Sequence, residues 1–271
     1  MNRKERLINN LFDSLFKKRQ GENEWKFQEE LIGGKIREAK DRQFPPDLAD
    51  EVELRYYRKL FEQVKKLLCI ESFAGMDVAE YGSGTGILSL YMAKEGANVA
   101  LIDTSPTCLA YSSILHESMV RFDKFEWTVT TIQQDFFNYN SPNKPDIIHS
   151  IGIIEHFSDL KAQEIVNKIS SDVVDGGHVL VGVPNFLSLD LMYIWSKHGK
   201  GNENYYSKGK LRCMMEKSGL TDIKIETSTF AYPSFTPSLF ARRMNSLENL
   251  LGFRLGLGFL ILAAGRKSAE T

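Results

Sequence analysis

The chain has 271 residues, 42% hydrophobic and 25% charged, with a formal net charge of −1. Those proportions exclude a largely disordered chain, and the near-neutral balance excludes a global basic footprint for nucleic acid. Cys69, Cys108 and Cys213 are far apart and odd in number, which excludes a disulfide framework or a metal-ligand cluster and fits a reducing, cytoplasmic setting.

Leu7, Ile8, Leu11, Phe12, Leu15 and Phe16 recur at helical spacing and predict a first helix, with Lys17, Lys18 and Arg19 at its end. Asn and Asp interrupt the stripe, so it cannot serve as a signal-peptide core. It is short and flanked by acids, which makes rest on a membrane surface the less favoured reading. A second, more polar helix is expected over about 25–42, broken by Phe44-Pro45-Pro46. A third follows from about Leu48, with Leu60, Phe61, Val64, Leu67 and Leu68 on its inner face. Residues 1–71 are therefore expected to form an N-terminal helical extension, either a lid on the substrate side or simple packing on a sheet.

The most informative stretch is next. Met76-Asp77-Val78-Ala79-Glu80-Tyr81 is a short extended run, Gly82, Gly84 and Gly86 follow at every second position, and a helical pattern with Leu88, Met92 and Ala93 begins at once. Strand, tight turn and helix N-terminus together make an anion- or nucleotide-binding corner. A dinucleotide fingerprint needs Gly-x-Gly-x-x-Gly, whereas here the third glycine is Gly86 and position 87 is Ile. The run Glu80-x-Gly82-x-Gly84-x-Gly86 instead resembles motif I of the class I S-adenosylmethionine (SAM) dependent methyltransferases.

Ala97 to Asp103 reads as a buried second strand ending in a carboxylate, and Ser105-Pro106 opens a helix with a capping hydroxyl and a proline at its first position. Asp103 stands where an acid can accept hydrogen bonds from ribose hydroxyls, in a SAM enzyme or a nicotinamide enzyme alike. Phe125 to Ile132 is rich in β-formers and predicts a third strand, leading into Asp135-Phe136. Pro145 to Ser150 is a fourth, followed by Ile151-Gly152-Ile153-Ile154-Glu155-His156-Phe157 and a helix capped near Ser158. That run resembles motif IV of the small-molecule methyltransferases. It lacks the Asn/Asp-Pro-Pro-Tyr/Phe sequence of enzymes that act on adenine or glutamine nitrogens. Asp175-Gly176-Gly177 turns into a fifth strand over 178–183, stopped by Pro184-Asn185. A stretch over 186–206 carrying Tyr193, Trp195, His198, Asn202, Glu203, Tyr205 and Tyr206 is expected to wall the acceptor site, with some aromatics in the core. A helix over about 208–217, a sixth strand over 220–227 and a seventh over 258–265 complete the chain, and the long segment 230–256 is expected to shape the same pocket.

The resemblance covers roughly residues 72 to 268, taken as one SAM-binding domain. It implies an α/β fold, a Rossmann-like, seven-stranded, mostly parallel sheet with helices on both faces and the last strand inserted antiparallel beside the fifth. It implies SAM as cofactor, held by Glu80, Gly82, Ser83, Gly84, Asp103, Thr104, Asp135, Phe136 and Ser150, with Asp135 toward the adenine amino group and Phe136 beside the ring. Methyl transfer to a small-molecule acceptor follows, at oxygen in the first instance and at nitrogen or carbon otherwise. His156 is the candidate base, with His198 as alternative and simple packing of the Glu-His pair as the competing role. No metal, nucleic-acid partner or membrane-spanning segment is expected. A non-catalytic SAM-fold module and a nicotinamide oxidoreductase remain the alternatives.

Overall fold

A computed structural model describes residues 3–16, 32–34, 36, 51–120, 126–228 and 256–268. Seven strands form one sheet: β1 Asp77–Tyr81, β2 Asn98–Asp103, β3 Thr128–Gln133, β4 Ile147–Ile151, β5 His178–Pro184, β6 Leu220–Thr227 and β7 Leu260–Lys267. Their order is β3-β2-β1-β4-β5-β7-β6. The β3-β2-β1-β4-β5 pairings are parallel, and β7 runs antiparallel to both β5 and β6. This is the expected Rossmann-like topology, with the last strand beside the fifth.

The helices are α1 Arg3–Leu15, α2 Glu51–Leu68, α3 Ile87–Lys94, α4 Pro106–Val120, α5 Asp159–Asp172, α6 Leu189–His198 and α7 Lys208–Lys217, with a 3-10 turn over Ile154–His156. Side chains alternate across the sheet, as the two-residue strand period demands. Val78, Leu101, Ile147, Leu180 and Leu262 face α2, α3 and α4 in one core. Ala79, Ile102, Ile148, Val179, Val181 and Ala263 face α5 and α7 in the other. With both faces covered, the central strands are mostly apolar, as parallel strands buried on both sides are, and Glu80 in β1 and His149 and Ser150 in β4 are the buried polar exceptions.

α2 belongs to the first of these layers: Leu60, Phe61, Val64, Leu67 and Leu68 are buried in it. Gln63 Nε2 donates to the Thr227 carbonyl at 2.8 Å, tying α2 to β6. α1 sits apart, on a third apolar cluster of Phe12, Phe186, Leu191 and Trp195. Most of the second helix expected from the sequence, and the segment 230–255, lie outside the described residues. The third strand begins later than its β-forming residues suggest. Trp127 precedes β3 and is buried against the ring of His116 at 5.9 Å, because an indole of that size is stabilised more by packing than by an edge-strand position. Within 186–206, expected as an acceptor wall, the chain forms a helix, and Ser188 caps α6 by accepting from the Leu191 amide.

Candidate active site

Strand order reverses between β1 and β4, and in open α/β sheets the crevice at the carboxyl ends of such strands is where ligands bind. The glycine loop leaves β1 there and enters α3. Its amides are fastened to β2: Gly82 and Ser83 both donate to the Ile102 carbonyl, at 2.9 and 3.1 Å. Gly84 donates its amide to Asp103 Oδ2 at 2.7 Å, and the Ser105 amide donates to Oδ1 at 2.8 Å. Asp103 therefore fixes the loop before it meets any ligand. A carboxylate offers about four lone-pair positions, and two remain for hydroxyl donors.

Gly82 and Gly84 both have positive φ, 69° and 51°, but they serve different purposes. A Cβ on Gly82 would stand 2.4 Å from Ile153 Cδ1, so this glycine lets the loop close on the turn after β4. A Cβ on Gly84 meets nothing within 4 Å, so its backbone borders open space. Beside it, Ser83 Oγ is buried without a hydrogen-bond partner. A left-handed backbone, open space and an orphaned hydroxyl at a helix N-terminus make a cradle for a polar ligand.

Under the loop lies a buried polar cluster. Glu80 is 6% exposed, and Ser89 and His149 are wholly buried. The pairing of β1 with β4 sets Glu80 opposite His149. Ser89 Oγ donates to Glu80 Oε2 at 2.6 Å and lies 2.8 Å from His149 Nε2. When Glu80 is ionised that hydroxyl gives its one proton to the carboxylate, and the imidazole then carries its proton on Nε2 and donates to Ser89. Nδ1 is then an acceptor, 3.7 Å from Glu80 Oε1. Burial raises the Glu80 carboxyl to about 8, with the Asp103 charge adding to the shift and the Ser89 hydrogen bond opposing it. Burial lowers His149 to about 3. The whole cluster is consequently close to neutral, and a cation placed beside it would draw out the Glu80 charge.

The other residues expected to hold the cofactor lie at or after the carboxyl ends of β2, β3 and β4. Thr104 is exposed at the tip of β2, and Asp135 is exposed after β3, where its Oδ1 accepts from the Phe137 amide at 2.9 Å. The Phe136 ring stacks on Tyr81 at 5.4 Å and on Phe137 at 4.8 Å. Ser150 is buried, and its hydroxyl donates to the Tyr81 carbonyl at 2.9 Å, fastening β4 to the end of β1.

His156 ends the 3-10 turn after β4, and its Nε2 is 3.7 Å from Glu155 Oε1. That turn is held from the far side. Asn204 Nδ2 donates to the carbonyls of Glu155 and Phe157 at 3.0 and 3.1 Å, and the Tyr206 hydroxyl donates to the Ile154 carbonyl at 3.2 Å. Of the aromatics expected to wall the acceptor site, Phe186, Trp195 and Tyr206 are core, while Tyr193 is exposed. The His198 side chain lies outside the description. Sequence reasoning missed Ser89, His149 and Asn204. A histidine inside the otherwise apolar run Ile147-Ile148-His149-Ser150-Ile151 was the available signal for His149. For Asn204, which acts across 49 residues of chain, there was none.

Comparison with known proteins agrees with this geometry. A family model described as a methyltransferase domain matches residues 52–225. The Ubiquinone biosynthesis O-methyltransferase of Cupriavidus pinatubonensis is 35% identical over 118 residues, 43% of this chain and 44% of that relative, so the chain matches under half of its length. Among solved structures, magnesium protoporphyrin IX methyltransferase (ChlM) from Synechocystis PCC 6803 with bound SAM superposes with a TM-score of 0.56 at 12% identity, over 92% of this chain and 99% of that one. The N-methyltransferase NodS from Bradyrhizobium japonicum WM9 in complex with S-adenosylhomocysteine gives 0.53 at 12% identity, over 87% and 99%. At such identities the structural likeness shows the fold, and the family match carries the membership. The chain belongs to the class I S-adenosylmethionine-dependent methyltransferase family, and SAM is its cofactor.

Proposed function

We propose that this protein transfers a methyl group from SAM to a small-molecule acceptor, at oxygen. The observation that carries the reading is the Glu155-His156 turn, clamped by Asn204 and Tyr206 at the end of β4, the strand next to the glycine cradle. The 35% identity to a protein named as an O-methyltransferase points the same way. The loop after β4, Ser150-Ile151-Gly152-Ile153, lacks the asparagine and prolines that suit an exocyclic nitrogen.

When bound, SAM supplies a methyl group already activated by its sulfonium. The chain's residues then need only orient, exclude water and manage a proton. The roles proposed for them follow from position. Asp103 and Thr104, at the tip of β2, would receive the ribose hydroxyls. Asp135 and Phe136, after β3, would take the adenine. Gly82, Ser83 and Gly84 would shape the cradle, with Glu80 beneath them as the counter-charge for the cationic methionine portion. Ser150 would hold the floor by joining β4 to β1. His156 would accept the proton of a hydroxyl acceptor as it attacks, a step an amine does not require.

Titration calorimetry with SAM tests the first half, and heat of binding is expected. Incubation with SAM and a panel of phenols, catechols and amines tests the second. Release of S-adenosylhomocysteine with O-methylated phenol supports the reading; turnover of amines alone would replace it with N-methylation, and binding without turnover of any acceptor would favour a non-catalytic module.

A further inference from the structure

α1 is apolar on two sides. Its inner side places Phe12 against Phe186 and Trp195, with ring centroids 5.3 and 5.7 Å apart. The Tyr205 amide donates to Asn9 Oδ1 at 2.8 Å, so the helix is pinned and cannot roll. Its outer side carries Leu7, Leu11 and Leu15, one turn apart, at 66%, 51% and 64% exposure. An amphipathic helix ordinarily turns its leucines to the core, so a row of exposed leucines one turn apart marks a side that is ordinarily covered. Leu187, Leu189 and Tyr193, also exposed, belong to the α6 segment on which α1 packs.

The charges on α1 are sorted by side. Both of its acids turn toward the body of the protein: Glu5 is buried with Lys210 Nζ at 3.9 Å, and Asp13 pairs with Lys200 Nζ at 2.9 Å. The acids that flank the stripe in sequence are thus neutralised from within. Arg3, Lys4 and Arg6 are all exposed, and the other exposed polar residues of the helix, Asn10 and Ser14, are uncharged. Among the described residues, the outer side of α1 therefore offers leucines and cations and no carboxylate. The sequence runs on as Lys17-Lys18-Arg19.

We propose that the outer side of α1 docks on an anionic lipid surface, with Leu7, Leu11 and Leu15 entering the interface and Arg3, Lys4 and Arg6 meeting the headgroups. Leucine-and-cation helices of this kind bind in the plane of a membrane, with each basic residue near the surface adding to the attraction. A second copy of the chain fits less well. Pairing in either direction, antiparallel or parallel, sets leucines against leucines but brings no carboxylate of α1 to Arg3, Lys4 and Arg6, since Glu5 and Asp13 are turned inward. Neither arrangement supplies the missing negative charge. The inference does not depend on the acceptor or on methyl transfer.

Flotation of the full chain with vesicles tests it. Binding to phosphatidylcholine vesicles containing about 30% phosphatidylglycerol is expected to exceed binding to pure phosphatidylcholine by about tenfold or more, and to weaken as salt is raised. A Leu7→Ser, Leu11→Ser, Leu15→Ser variant is expected to lose about tenfold or more on the anionic vesicles, and an Arg3→Gln, Lys4→Gln, Arg6→Gln variant to lose the preference for them. Both should keep the parent's melting temperature and its thermal shift with SAM, since the changed side chains are exposed. The proposal is overturned if neither vesicle type is bound at low salt, if the leucine variant binds as the parent does, or if light scattering shows a dimer that the leucine variant dissolves while no vesicle is bound.

Discussion

At the β1-β2 half of the sheet's carboxyl edge, polar backbone groups are presented to a crevice. At the β4-β5 half, the polar groups are spent on the protein itself. The glycine loop keeps open space beside Gly84 and an orphaned Ser83 hydroxyl, with Asp103 half committed to the loop. Across the edge, Asn204 and Tyr206 turn their polar groups inward and fix the short turn that carries His156, while Phe186 and Trp195 are spent on the cluster under α1. In the reading proposed above, the cofactor side is carried by short local runs at neighbouring strand ends. The proposed acceptor side rests instead on packing between distant segments, with His156 as its proposed proton acceptor.

The most severe test of that contrast is His156→Ala. If the acceptor half contributes one proton acceptor, methyl transfer to a phenol should fall by about 10²–10⁴-fold, while calorimetric affinity for SAM stays as in the parent. Equal loss of both would mean that His156 serves the cofactor half. Next come two glycine substitutions of opposite character. Gly82→Ala combines left-handed strain with an overlap on Ile153 and should cost about 2–4 kcal/mol in urea unfolding. Gly84→Ala meets no protein atom and should cost only the strain, about 1–2 kcal/mol, yet lose SAM affinity disproportionately because its methyl enters the cradle. Should the two behave alike in both assays, Gly84 does not border the ligand. Asp103→Asn is expected to weaken SAM binding by about 1.5–3 kcal/mol, since charged acceptors make the stronger hydrogen bonds, and to loosen the loop through its contacts with Gly84 and Ser105. Proteolysis or amide exchange at 82–86 reads the second effect separately.

The same contrast explains what could be read from residues alone. The strands and the glycine corner were legible because each rests on local pattern: apolar runs ending in Glu80 and Asp103, alternate glycines, and a serine-proline helix start, whereas the antiparallel last strand beside the fifth followed only from the family resemblance. Trp127 misled because strand propensity was outweighed by burial against His116. The α6 helix was not read because its aromatics suggested a binding wall, whereas Trp195 is buried under Phe12 of α1. The resemblance places Gly82 among the residues that hold SAM, and the structure adds that its missing Cβ also spares Ile153, 71 residues on and brought there by the β1-β4 pairing. Spacing cannot show which atom a glycine makes room for.

The finest distinction concerns the charge beneath the cradle, and pH resolves it. His149 is neutral when folded down to about 3 and takes up a proton in the unfolded chain below its ordinary 6.5, so stability from this group rises with pH between about 3 and 6.5. Glu80 runs the other way. Its folded carboxyl keeps a proton up to about 8 while the unfolded one ionises near 4.5, so stability from this group is complete below 4.5 and is lost as pH rises to 8. The two slopes, each at most about 1.4 kcal/mol per pH unit, offset one another between 4.5 and 6.5 and leave Glu80 alone above that. Glu80→Gln should flatten the fall between pH 6.5 and 8, and His149→Phe should remove the rise below 6.5, both measured by urea unfolding. SAM affinity should respond with the opposite sign to the fall in stability. A cationic ligand above Glu80 favours the ionised carboxylate, so affinity should increase from pH 6.5 to 8, up to about tenfold per unit, with a proton released that appears as buffer-dependent heat in calorimetry. A buffer-independent heat and flat affinity across that range would place the methionine portion of SAM away from Glu80, and with it the floor of the cradle.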